Sequence, residues 1–137
     1  MARVRRKFGD KGVPANSVIK AKAIAGERRI RLRKAYQSGV KFALGTDATS
    51  DIHGRNGEEF KYMVDILGAT PMDAITIGTM NAATLLGAEQ QIGSVRTGKL
   101  ADIVAVQGNP LEDVTRLANV AFVMKGGVVY KAPTVAP

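Results

Sequence analysis

The sequence predicts an α/β chain made of two unlike parts, and three observations carry that reading. A helical stretch runs straight into a short apolar strand, Val40-Lys41-Phe42-Ala43-Leu44, whose end turns polar at Gly45-Thr46-Asp47. Thr70-Pro71-Met72-Asp73 spells out the start of another helix. Beyond Gly87 the helical period gives way to short β-like runs separated by turn residues. A helix leading directly into an apolar strand is the α/β pattern.

Taken in order, residues 1–13 are polar, basic and glycine-containing, without a period, and are expected to form a loop or frayed end. Pro14 opens a helix, with Asn16 or Ser17 as its N-cap, and an apolar stripe at positions 21, 24, 25, 28, 32, 35 and 36 is broken by Arg28. Gly39 ends it, and residues 40–46 read as a buried parallel strand. The polar stretch from Ala48 to Asn56 suits a βα loop. From Gly57 to Leu67, Phe60, Met63, Val64 and Leu67 recur at helical spacing, with Glu58 and Glu59 in the first turn, where the helix dipole favours acids. Thr70 is the N-cap of the next helix, Pro71 its first residue and Asp73 the closing acid of a capping box. Asn81 is read as capping a further short turn that ends at Gly87. Strands are expected over 92–95, 101–106, 120–124 and 128–131, with Gly126-Gly127 as a hairpin turn and 132–137 as a tail.

Composition sets bounds on function. The 137 residues are 45% hydrophobic and 23% charged, a globular balance. The absence of cysteine excludes disulfides, thiolate nucleophiles and sulfur-ligated zinc. No apolar run reaches membrane-spanning length and no signal peptide is read, so a cytoplasmic location is the default, with a leader upstream of Met1 beyond view. The net charge of +8 is concentrated in residues 1–41, which hold 13 Lys/Arg against Asp10 and Glu27. That basic third could meet phosphates, but it lacks the interleaved aromatics of single-strand binders, and a solvated helix face is the preferred reading.

Few residues could carry chemistry. No Gly-x-Ser-x-Gly elbow and no glycine-rich nucleotide loop follows a strand. His53 is the single histidine; with Asp47 and Asp51 it forms Asp-x-x-x-Asp-x-His, too few ligands for a self-sufficient hydrolytic metal site. Asp47 stands at the C-terminal end of the expected strand, where α/β barrels place catalytic groups, and an aspartate that merely caps a loop is an equal alternative on position alone.

The run Gly39 to Ala48 resembles the last barrel strand of the amidohydrolase superfamily. Asp51-Ile52-His53-Gly54-Arg55-Asn56-Gly57-Glu58-Glu59-Phe60 resembles the loop and helix that follow. Thr70-Pro71-Met72-Asp73-Ala74-Ile75, Asn81-Ala82-Ala83-Thr84-Leu85-Leu86-Gly87 and Ile92 to Val106 resemble the next two helices and the return into a β-sandwich. In the order and spacing of these motifs, from about Ala15 to Lys131, the chain most resembles the imidazolonepropionase-like branch that includes Xaa-Pro dipeptidases and related carboxypeptidases. The resemblance implies an α/β fold: the C-terminal part of a (β/α)8 TIM-like barrel of a metal-dependent hydrolase over residues 14–87, plus strands of a small composite β-sandwich over 88–131. It implies one or two divalent metals, zinc foremost, with Asp47 as both metal ligand and proton acceptor for the attacking water, and His53 as a substrate contact. The family's histidines and bridging lysine or carboxylate would lie upstream of Met1. The expected partners are a small amide or dipeptide substrate, the remainder of the barrel and further copies in a homo-oligomer, with no membrane or nucleic acid. The chain is expected to be a C-terminal fragment, inactive alone. The alternative from another class is a non-catalytic module binding nucleic acid or protein through residues 1–41.

Overall fold

A computed structural model of the protein describes residues 15–48 and 53–133. The expected loop over 1–13, Pro14, Asp51 and most of the 132–137 tail lie outside them. Helix α1 (Ala15–Gln37) is followed by a 3-10 turn (Asn56–Glu58), helix α2 (Glu59–Tyr62) and a π-helical turn (Met63–Leu67). Helix α3 (Pro71–Thr76) widens into a second π-helical turn (Ile77–Asn81) and then continues as α4 (Ala82–Leu85). Strands β1 (Ile103–Val106), β2 (Val120–Lys125) and β3 (Val128–Lys131) form an antiparallel sheet in the order β1-β2-β3.

The local chemistry of the sequence is realised where it was strongest. Thr70 Oγ1 accepts from the Asp73 amide at 3.1 Å while Asp73 Oδ2 accepts from the Thr70 amide at 3.3 Å, so the capping box is complete and Pro71 begins the helix. Gly126 and Gly127, both at positive φ, make the two-residue turn that pairs Lys125 with Val128.

Four expectations give way. Asn16 and Ser17 fall inside the first turn of α1 rather than before it. The stripe of α1 is partly buried at Leu32, Ala35 and Tyr36, whereas Ile24, Ala25 and Arg28 are exposed, because the helix meets the core through its C-terminal half. Residues 92–95 form a loop. Lys99 Nζ donates to the carbonyls of Glu89 at 2.5 Å and Ile92 at 3.0 Å, and Leu100 N bonds Gln91 O, which folds this stretch on itself. Residues 40–46 pair with no strand among the described residues, since a ladder needs a neighbour and the three-stranded sheet lies elsewhere in the chain.

The core is small. Leu67, Ala69 and Ile77 are buried, with Leu32, Tyr36, Phe42, Leu44, Met63 and Ile66 packed against them. Burying Leu67 or Ile77 stabilises by about 1.5–3 kcal/mol each. Arg33 ties α1 to the same region: Nε donates to Ile66 O at 3.1 Å and Nη2 to Asp65 O at 2.9 Å, joined by Arg29 Nη2 on Asp65 O at 3.1 Å. These are late carbonyls of a helical segment, where cations are favoured.

Large apolar side chains remain uncovered: Ile24, Leu85, Leu86, Val104 and Tyr130 are each more than 60% exposed. Faces of this kind drive association. The isolated chain is therefore expected to elute above the 14.5 kDa monomer or to melt without a cooperative transition, which light scattering and calorimetry check; a monodisperse monomer with a sharp melt contradicts it. Thr70→Ala should weaken the first turn of α3 by about 1 kcal/mol and speed amide exchange across residues 71–76 about fivefold. Hydrogen bonds from Thr70 and then Tyr36 lower the Asp73 carboxyl pKa, so its contribution is present above the ordinary carboxylate value and is lost as the pH falls through the lowered one. The exchange difference between parent and Asp73→Asn should accordingly shrink in that acidic window.

Candidate active site

Asp47 ends the segment that leaves α1 and crosses the core. Among the described residues it is the one non-glycine position at positive φ, 48°, and it is exposed. Aspartate tolerates this left-handed conformation better than most residues, at a cost of order 1 kcal/mol. Such a conformation persists when the surrounding chain holds it, and three bonds fix the segment before it. Val40 N donates to Ala35 O at 3.1 Å and Leu44 N to Ile77 O at 3.2 Å, while Asn81 Nδ2 donates to Phe42 O at 2.9 Å.

The reading of Asn81 as a helix cap is thus corrected. Its backbone is helical, it makes no capping bond, and the helix runs through it. The signal that could have shown this is a polar amide within the helical run from Met80 to Ala83, where asparagine is otherwise disfavoured. A second crossing contact joins α1 to α3. Tyr36 Oη donates to Asp73 Oδ2 at 2.9 Å, and its ring meets Phe42 edge-on with centroids 6.2 Å apart. The negative Asp73 carboxylate accepting that bond raises the Tyr36 pKa, because the phenol must stay protonated to donate.

His53 is exposed in a turn, and the 3-10 helix after it is pinned by Arg55, whose Nε and Nη2 reach the Glu58 carboxylate at 2.6 and 2.5 Å. The structure does not gather Asp47 and His53 into a ligand cluster: among the described residues no group of three or more His, Asp or Glu side chains could hold a metal ion. The carboxylate of Asp47 by itself does not make up a metal site. A shallow recess lined by Glu58, Lys61, Tyr62, Thr115 and Ala118 includes neither Asp47 nor His53 and lies between α2 and the 3-10 turn Val114–Ala118. The basic helix is partly committed to its neighbours, since Arg29 and Arg33 serve the carbonyls described above, while Arg31 pairs with Glu27 at 2.8 Å on the exposed surface of the same helix. Among the described residues no helix is long and apolar enough to cross a membrane.

The model of the amidohydrolase family matches residues 1–130. Ochratoxinase of Aspergillus niger is 34% identical over 130 residues, covering 92% of this chain and 27% of the enzyme, and its crystal structure superposes with a TM-score of 0.79. A Xaa-Pro dipeptidase crystallised with methionine in its active site is 44% identical, with a TM-score of 0.81 over 94% of this chain and 32% of that one. Imidazolonepropionase of Symbiobacterium thermophilum is 34% identical over 76 residues, 54% of this chain and 18% of that enzyme. The chain thus spans about a third or less of these relatives. With a family match running nearly end to end, the chain belongs to the amidohydrolase family.

Proposed function

We propose that this chain is the C-terminal part of a hydrolase of C–N bonds in small amides, cyclic amides or dipeptides, with Asp47 as its catalytic carboxylate. Residues 14–87 would supply the last strand and helices of a (β/α)8 barrel, and residues 88–131 strands of a β-sandwich. The observation that carries this reading is the conformation of Asp47, an exposed aspartate at positive φ closing a segment fixed to the core. Strained residues of this kind cluster at functional sites. The relatives named above are an ochratoxinase, a dipeptidase and an imidazolonepropionase, which supports the substrate class.

The chemistry follows from the carboxylate. Hydrolysis needs a group that takes a proton from the attacking water and returns it to the leaving nitrogen, and in the complete barrel the Asp47 carboxylate would serve both transfers. His53, exposed on the following loop, is proposed as a substrate contact at the mouth of the site. Amidohydrolases generally use divalent metal, zinc foremost in this reading, which would activate water; its remaining ligands would come from outside this chain. The rest of the barrel is the partner that would cover the exposed apolar faces, and a homo-oligomer is a further assembly of the complete enzyme.

In the full-length enzyme, Asp47→Asn should lower turnover by roughly a hundredfold to ten-thousandfold, since the amide keeps the size but accepts no proton. Steady-state kinetics with bound metal quantified on the same sample provides the check. Activity within about threefold of the parent at equal metal content would assign Asp47 to loop shape alone. The 137-residue chain by itself should bind zinc weakly, because Asp47 and His53 offer too few ligands for a closed site. Competition with a chelating dye measures this, and submicromolar affinity would contradict the proposal.

A further inference from the structure

Asn81 occupies a position that helix chemistry does not explain. It closes the π-helical turn Ile77–Asn81 between α3 and α4, has helical backbone angles and makes no cap. An asparagine in a helix interior costs several tenths of a kcal/mol relative to alanine. Its half-buried amide leaves the helix and donates to Phe42 O at 2.9 Å, across 39 residues of sequence. One turn earlier on the same face, Ile77 O accepts from Leu44 N at 3.2 Å. Between them, Gly78 lies so near the segment that a Cβ there would come within 3.3 Å of Leu44 and 2.5 Å of the Phe60 ring. The widened turn therefore presents an acceptor, a bare backbone and a donor to Phe42 and Leu44 together. Turns of this type recur at functional sites.

We propose that Asn81 is a positioning residue for Asp47, fixing through Phe42 O the segment at whose end the carboxylate is held at positive φ. The inference rests on the reading of Asp47 as the catalytic carboxylate. Among the described residues, Phe42 and Leu44 carry the last bonded backbone groups before Asp47, so loss of the Asn81 donor removes one of the bonds that hold the segment and lets it shift on the helix. A displacement of about 1 Å at a catalytic group can cost on the order of a hundredfold in rate.

The test is a double-mutant cycle in the full-length, metal-loaded enzyme, comparing Asn81→Ala, Asp47→Asn and the pair, with Asn81→Asp as an isosteric variant that loses the donor should the alanine variant fail to fold. Asn81→Ala and Asn81→Asp are expected to lower kcat about 10- to 100-fold with KM within about threefold. In the Asp47→Asn background the same change should cost less than about twofold, because a residue acting through Asp47 has nothing left to position. The ratio of Asn81→Asp to parent activity should also rise as the pH falls, since a protonated carboxyl regains a donor, whereas the ratio for Asn81→Ala stays flat. Equal losses in both backgrounds would make Asn81 a general packing residue and overturn the inference. If Asp47→Asn abolishes turnover while both Asn81 variants stay within about threefold of the parent, this inference alone falls; if Asp47→Asn is fully active, the catalytic reading falls and takes this one with it.

Discussion

Among the described residues, the backbone of residues 40–47 satisfies its polar groups without a strand beside it, and much of the described structure answers to that constraint. Half-buried N–H and C=O groups need partners. Here the partners are helical: the carbonyls of Ala35 and Ile77 and the side-chain amide of Asn81. Hydrophobic contact does the coarse work, drawing Phe42 and Leu44 onto Leu67, Ala69 and Ile77. That attraction has no direction, so the hydrogen bonds set how the segment lies.

The uneven charge of the chain takes on a structural meaning beside this. Arg29 and Arg33 converge on the carbonyls of Asp65 and Ile66 at the end of a helical segment, Arg31 pairs along its own helix with Glu27, and Lys61 does the same with Asp65. Exposed pairs of this kind contribute little stability each. The two arginines that bond carbonyls are different in kind, because they join the basic helix to the layer that carries the core. A basic segment whose preferred reading from sequence is a solvated helix face is, in part, a set of clamps between helices.

Features governed by neighbours a few residues apart were legible in the sequence. The capping box at Thr70 and Asp73, the helix from Gly57 to Leu67 and the hairpin at Gly126-Gly127 each follow from residues close together in the chain. The placement of Asp47 at the end of an apolar segment was legible for the same reason, but its left-handed conformation was not, and the segment before it is bonded to a helix more than thirty residues away. The same limit explains the misread elements. Residues 92–95 have strand composition, yet Lys99 reaches back to two carbonyls and makes a loop of them. Asn81 has the composition of a cap and serves as a crossing donor. The upper half of α1 carries an apolar stripe with nothing among the described residues to cover it, so periodicity there describes a surface that burial does not use.

The contrast between near and distant contacts also orders events in time. The hairpin β2–β3 and the first turn of α3 are closed by residues a few places apart, and elements of that kind form within microseconds. The seating of Phe42 on Asn81 closes a loop of 39 residues, whose entropy must be offset by contacts made after it forms. Helices and hairpin can therefore exist while residues 40–47 are still undocked, and a state in which that segment alone has come loose keeps every local element. The carboxylate would then lose its fixed direction while circular dichroism still reported an intact helical chain.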